Sequence, residues 1–225
     1  MSDDGYWIIR LMLQRGLGVI YLMAFLVALN QFRALCGERG LEPALPFMRL
    51  VPFRDAPSLF YFLRGDRVYL FAALAGVFLS LLAVTGLSDA GGTLLSMSVW
   101  FLLWLLYLSF VNIGQTFYAF GWESLLLEAG FLAIFLGPSG VEPSWAVIWF
   151  YRWLAFRIMF GAGMIKLRGD SCWRDLTCLD YHFETQPMPN PLSRLFHRLP
   201  PPVHKAGVAF NHLAELVLPF LFFLP

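Results

Sequence analysis

Long apolar runs, interrupted by two polar stretches and several tight turns, set the pattern of this chain. A helix that crosses the hydrocarbon core of a bilayer needs about 20 mostly apolar residues. Runs of that kind fall near 16–32, 68–87, 93–113, 143–165 and 208–225. The first three carry no charge, the fourth contains Arg152 and Arg157, and the last contains His212 and Glu215. A sixth run, 122–136, is shorter and carries Glu123 and Glu128. It predicts a short crossing helix in preference to a re-entrant one buried among its neighbours. The predicted fold is all-α: a polytopic transmembrane helical bundle of five or six spans, in a single domain over 1–225.

Two long Pro/Arg-rich loops are predicted between the spans. Residues 33–67 hold Arg33, Arg39, Arg49, Arg54, Arg64 and Arg67, with breaks at Pro43, Pro46, Pro52 and Pro57. Residues 166–207 hold Lys166, Arg168, Arg174, Arg194, Arg198 and Lys205, with prolines from Pro187 to Pro202. Residues 88–92 and 137–144 read as tight turns. With six spans both long loops share one face, and their basic residues would make that face cytoplasmic.

Composition agrees with a membrane protein. The chain is 59% hydrophobic and 14% charged, with a mean hydropathy of +0.65. A soluble domain cannot hide that much apolar surface. A net charge of +1, from 16 basic and 15 acidic residues, gives no case for a nucleic-acid partner. Three cysteines are too few for a disulfide framework. The opening MSDDGYWIIR lacks a basic n-region and a small-residue cleavage site, so insertion is expected to rely on the first span. The closing LFFLP stops inside an apolar run, which predicts an N-terminal portion of a longer protein.

Four ionisable groups fall at membrane depth. A lone charge at a helix centre costs about 2.5–3.5 kcal/mol on insertion scales. Pairing Glu123 and Glu128 with Arg152 and Arg157 across a short turn would offset most of that cost. The pairing fixes helix register or serves a proton or ligand role. His212 and Glu215 lie three residues apart on one helix face. A His-x-x-Glu pair supplies two ligands where a metal site needs at least three, so no metal is expected. The alternatives are a hydrogen-bonded polar pair and a proton relay.

The densest chemistry lies in 161–191, GAGMIKLRGDSCWRDLTCLDYHFETQPMPNP. Lys166, Arg168, Asp170, Trp173, Arg174, Asp175, Asp180, His182 and Glu184 concentrate charge and aromatic surface there, and Pro187 and Pro189 stiffen the backbone. Such a stretch suits a recognition surface or a lid, or packs across the end of the bundle. Cys172 and Cys178 could close a small disulfide loop on an oxidising face, stay as free structural thiols, or act as redox thiols. They do not form a Cys-x-x-Cys pair.

Three segments carry a family resemblance. YWIIRLMLQRGLGVIYLMAFLVALNQFRALCGERGLEPA (6–44), FGWESLLLEAGFLAIFLGP (120–138) and RWLAFRIMFGAGMIKLRGDSCWRDLTCLDYHFETQPMPNPLSRLFH (152–197) resemble the lipase maturation factor family. The resemblance implies a membrane-embedded folding factor that assists secreted lipases or other exported proteins, with membrane lipids and a client lipase as partners. It implies no cofactor. It places the protein in the endoplasmic reticulum membrane, or in the inner membrane of a bacterial source. It also implies a cytosolic N-terminus, which turns 166–207 toward the lumen, against the count of basic residues. The family's large C-terminal, client-binding domain has no counterpart in this sequence. A second reading is a membrane enzyme with thiol-redox or proton-transfer chemistry, distantly like the membrane region of the vitamin K-dependent carboxylases.

Overall fold

The computed structural model describes residues 6–224. Residues 1–5, and Pro225 at the limit of the last expected span, lie outside the described residues. Among the described residues every regular element is a helix. The chain forms two compact units, Met1–Ile148 and Trp149–Pro225.

The first unit begins with α1 (Tyr6–Val27), which runs through a π-helical turn (Ala28–Phe32) into α2 (Arg33–Cys36). Then come α3 (Ala44–Leu50), a 3-10 turn (Leu59–Tyr61), α4 (Asp66–Thr85), α5 (Leu87–Ala90) and α6 (Gly92–Ile113). A second 3-10 turn (Gln115–Tyr118) leads to α7 (Gly121–Ile134). α4 starts with Asp66 in its first turn, where the helix dipole favours an acid. It stops at Gly86, whose φ of +86° suits a residue without a Cβ.

The core of this unit is aromatic. Tyr21, Phe25, Phe32, Phe60, Trp100 and Phe110 are buried. Phe32 meets Phe110 edge-on at 4.8 Å, and Phe60 meets Tyr69 edge-on at 4.9 Å. Pairs of this geometry contribute about 0.5–1.5 kcal/mol beyond their burial. A Cβ at position 76 would overlap the ring of Phe25. Gly76 therefore lets that ring press against α4.

The first helix is longer than expected. It runs unbroken from Tyr6 to Cys36, 31 residues, and takes in Arg10, Arg15 and Arg33, which lie outside the expected limits 16–32. The guanidinium groups of Arg10 and Arg15 find partners. Arg10, 3% exposed, donates to the carbonyls of Ser139 and Val141, while Gln14 donates to Gly137 O at 2.7 Å. Arg15 donates to Ala83 O and pairs with Asp89 at 3.0 Å. The arginines thus tie α1 to the turn after α7 and to the end of α4.

The second unit holds most of α8 (Trp145–Arg168), which starts in the last residues of the first. It continues through α9 (Ser171–Arg174), α10 (Leu179–Thr185) and α11 (Ser193–His197). α12 (Pro201–His212) then passes through a π-helical turn (Leu213–Val217) into a 3-10 segment (Leu218–Phe223). Aromatic rings seal α8 against that last segment: Trp149 stacks on Phe223 at 6.0 Å and Phe156 meets Phe220 at 5.1 Å.

Among the described residues, four stretches are long and apolar enough to cross a membrane: Tyr6–Cys36, Asp66–Thr85, Gly92–Ile113 and Pro201–Phe223. The two other expected spans are helical but differ. α7 has 14 residues, about 21 Å at 1.5 Å per residue, against a hydrocarbon core of about 30 Å. α8 has the length, at 24 residues, but Arg152, Arg157, Lys166 and Arg168 dilute its apolar character.

The two Pro/Arg-rich connectors are not irregular loops. The first contains α2, α3 and a 3-10 turn; the second contains α9, α10, α11 and the start of α12. Their prolines often sit where a helix begins. Pro43 precedes α3, and Pro201 and Pro202 open α12. A missing N–H costs nothing in a first turn, because those N–H groups have no intrahelical acceptor. Proline therefore starts these helices rather than breaking them.

Candidate functional site

The second unit gathers much of the chemistry singled out in the sequence. Cys172 and Cys178 are joined by a disulfide, with Cα atoms 4.7 Å apart. Asp170 caps α9, its Oδ1 accepting from Cys172 N at 3.0 Å. A short Asp N-cap fits the first helical turn, satisfying an N–H that would otherwise lack a partner. After α9 the backbone reverses through Leu176, which holds a φ of +60°. That reversal brings Cys178 N to Cys172 O at 3.3 Å. Both cysteines are buried against Val208 of α12, with Trp173 and Leu179 beside them.

A polar cluster lies next to this small core. Lys166 Nζ donates to Glu215 Oε1 at 2.5 Å and to Asn211 Oδ1 at 2.8 Å, and it stands 4.9 Å from the centre of the Trp173 ring. Asn211 also donates to Glu215 Oε1 at 3.1 Å. His212 turns to a different partner, with Nε2 donating to Trp173 O at 2.8 Å. The expected His212–Glu215 pair thus divides between two neighbours, and Asn211 takes the place beside Glu215. Glu215 Oε2 and His212 Nδ1 are buried without a hydrogen-bond partner among the described residues. Among the described residues no three of His, Cys, Asp and Glu gather closely enough to hold a metal ion.

Two His–carboxylate contacts fasten the remaining helices. His204, 4% exposed, places Nδ1 at 2.9 Å from Asp180 Oδ1 and Nε2 at 2.9 Å from Phe196 O. Both ring nitrogens face oxygen acceptors, so only the doubly protonated ring donates to both. His197 pairs with Glu184 at 2.9 Å. Phe183 stacks on Phe196 at 5.7 Å, and Ser193 Oγ accepts from Gln186 Nε2 and Asn190 N. α10, α11 and α12 are therefore bound by side chains from each.

The structure separates the sequence candidates by role. Cys172, Cys178, Lys166, Trp173, Asp180, His212 and Glu215 build the buried and half-buried part of this unit, and Asp170 caps α9 from its exposed side. Arg168, Arg174, Asp175, His182, Glu184, Pro187 and Pro189 lie on its exposed side. Met188, between the two prolines, is 88% exposed. Sequence reasoning missed His204, Asn211, His197 and Ser193. Asn211 had a visible signal, since it lies four residues before Glu215 on one helix face. His204 had none: only the tertiary fold brings it to Asp180.

Two of the charges at membrane depth have described contacts within their own units. Glu123 Oε2, in the first turn of α7, accepts from the hydroxyl of Tyr107. Arg152 donates to Leu224 O at 3.3 Å and stands over the Trp149 ring. The Glu–Arg pairing of 122–136 with 143–165 would join residues of different units and remains an expectation of the sequence.

A family model described as the lipase maturation factor transmembrane domain matches residues 8–225. The chain belongs to the lipase maturation factor family. It is 43% identical to Lipase maturation factor 1 of Bos taurus, over 97% of this chain and 42% of that protein. Identity to Lipase maturation factor 1 of Homo sapiens is also 43%, over 97% and 41% of the two chains. Lipase maturation factor 2 of Xenopus tropicalis is 38% identical, over 93% of this chain and 32% of its own length. The chain thus spans about two-fifths of the first relatives and a third of the last. No solved structure matches it. The family resemblance in the sequence is borne out, and the matched domain is a membrane one, in keeping with the four apolar helices.

Proposed function

We propose that this chain is the membrane-embedded part of a maturation factor for secreted lipases. The observation that carries the reading is the 43% identity to Lipase maturation factor 1 over 97% of the chain. In this reading α7 and α8 complete a bundle of five or six crossings in the endoplasmic reticulum membrane, or in a bacterial inner membrane. The segment 169–200, which carries the Cys172–Cys178 disulfide, faces the oxidising side, because a disulfide persists there and is reduced in the cytosol. The exposed edge around Pro187, Met188 and Pro189 presents a stiff, partly apolar contact surface to the client.

Deletion of the gene tests the function. The yield of active secreted lipase is expected to fall while lipase mRNA holds steady, and normal lipase specific activity in the null strain would count against the reading. Orientation has its own test. A cysteine placed at Met188 in a variant lacking Cys36 should react with a membrane-impermeant maleimide only from the lumenal or periplasmic side. Labelling from the cytosolic side would reverse the topology without touching the function.

A thiol-exchange role is disfavoured by the burial of both cysteines, 6% and 4% exposed, since exchange requires an attacking thiolate to reach a sulfur.

A further inference from the structure

The connector between α2 and α4 is fixed at the edge of the bilayer and reaches into it. It leaves α2 at Cys36 and enters α4 at Asp66, and both helices belong to stretches able to cross a membrane. Its middle is clamped to the end of a third such helix, α6. Ser58 Oγ donates to Ser109 O at 2.9 Å, Leu59 N donates to Ser109 Oγ at 3.1 Å, and Asn112 Nδ2 donates to Pro57 O at 2.7 Å. Ser109 lies four residues before the last residue of α6, so the connector dips ~6 Å past that end at 1.5 Å per residue. Phe60 locks it there, 1% exposed, with its ring edge-on to Tyr69 and Phe110.

Beside this clamp a patch of large side chains is left uncovered. Leu50, Phe62 and Leu63 are 85%, 73% and 61% exposed, and Phe53 meets Phe62 edge-on at 5.4 Å. Rings and leucines ordered and exposed together mark a contact surface. Arginines are interleaved with them. Arg49, Arg54 and Arg64 are all exposed, and Asp55 is the one acid in the sequence from 49 to 64. Among the described residues neither Arg49 nor Arg54 has an ion-pair partner. Just beyond the end of α6 the rings of Phe120 and Trp122 stack at 4.8 Å, with Trp122 exposed.

We infer that residues 49–64 form an in-plane anchor on anionic phospholipid: Leu50, Phe53, Phe62 and Leu63 enter the acyl boundary, and Arg49, Arg54 and Arg64 hold headgroup phosphates. Position decides the occupant, because a segment clamped to the ends of spanning helices lies at headgroup level. Exposed Trp and long basic side chains with apolar stems belong at that level, and a segment lying in the interface joins apolar residues to basic ones. The non-helical backbone at 57–59 tolerates the depth because Asn112 and Ser109 satisfy its carbonyl and its amide. The guanidinium fork matches phosphate oxygens bidentately. Three arginines against one aspartate leave two positive charges over 49–64, which favours an anionic head over a zwitterionic one. The inference rests on the membrane character of the spans and not on the client of the protein.

The test uses the full chain in mixed phosphatidylcholine–phosphatidylglycerol nanodiscs. A variant lacking Cys36 carries Leu50→Cys, or Phe62→Cys in a second preparation, labelled with the polarity-sensitive fluorophore bimane. Its emission should be blue-shifted, quenched by lipid bearing a nitroxide near the top of its acyl chain, and shielded from aqueous iodide. With the nitroxide on phosphatidylglycerol, half-quenching should need about a fivefold lower mole fraction than on phosphatidylcholine, the size expected of one basic residue at an anionic surface. Arg49→Gln with Arg54→Gln should bring the two curves together and leave thermal stability unchanged. Water-like emission quenched by iodide alone would overturn the anchor. Blue-shifted emission insensitive to lipid nitroxide would make the occupant a second copy of the chain or another protein, and would overturn it as well. Equal quenching by the two lipids before substitution, or curves still apart after it, would overturn the assignment of headgroups to these arginines.

Discussion

The two units are stabilised by different physics. The first buries rings: its interior is a set of edge-to-face aromatic contacts around Phe32 and Phe110. The second packs rings between α8 and the last segment; around its small buried core of Cys172, Cys178 and Val208 it relies on a disulfide, an ion pair and two His–carboxylate contacts. Most of what buried rings contribute is the removal of apolar area from water, which is non-directional and tolerates drift in individual contacts. A polar network is satisfied only in one geometry, and it fails sharply when one member is lost. The first unit is built as a scaffold, the second as a shaped surface.

The comparison can be broken most forcefully in the first unit. Phe110→Ala should cost about 3–5 kcal/mol, the usual range for emptying a buried aromatic site, seen as a large fall in melting temperature in detergent. A shift near zero would mean that the aromatic core carries no stability. In the second unit, Lys166→Met leaves Glu215 buried without its cation and should cost about 3 kcal/mol. The double variant Lys166→Met with Glu215→Leu should recover most of that loss. If the double is as unstable as the single, the pair is not an isolated electrostatic unit.

Smaller effects sharpen the contrast. Replacing Cys172 and Cys178 by Ser should cost about 2 kcal/mol, from the chain entropy of a short closed loop. Local proteolysis of 169–200 should increase while the melting of the first unit stays put. Asp180→Asn weakens one partly exposed contact to His204 and should cost about 1 kcal/mol, read by hydrogen exchange in α10 and α12. Pro189→Ala, on an exposed edge, should stay within about 0.5 kcal/mol in stability. If that edge contacts the client, the yield of active lipase should nonetheless fall.

Much of the first unit was legible in the sequence because uncharged runs of helical length report burial or lipid directly. The ends of those runs were not. The expected span 16–32 stopped short of Arg10 and Arg15, whose side chains reach carbonyls of the 137–141 turn and the end of α4. A residue's hydropathy says nothing of a partner some 130 positions away. The second unit shows the reverse. Its ingredients in 161–191 stood out, but which acid meets which base depends on how four short helices pack. His212 and Glu215 were one pair by spacing and two separate contacts in the fold. The proline count suggested loops, because proline at the start of a helix and proline in a coil look alike in composition.

Arg10 has a consequence for how the protein is made. Its acceptors, Ser139 and Val141, lie 129 and 131 residues downstream. At about 5–20 residues per second, the ribosome delivers them roughly 6–26 s after the arginine. Through that interval the leading helix carries an uncompensated guanidinium, which favours a waiting place at the bilayer edge or inside the insertion machinery. Nascent chains stalled before residue 137 should therefore be extracted from the membrane more easily than chains stalled beyond 150, and Arg10→Leu should erase the difference.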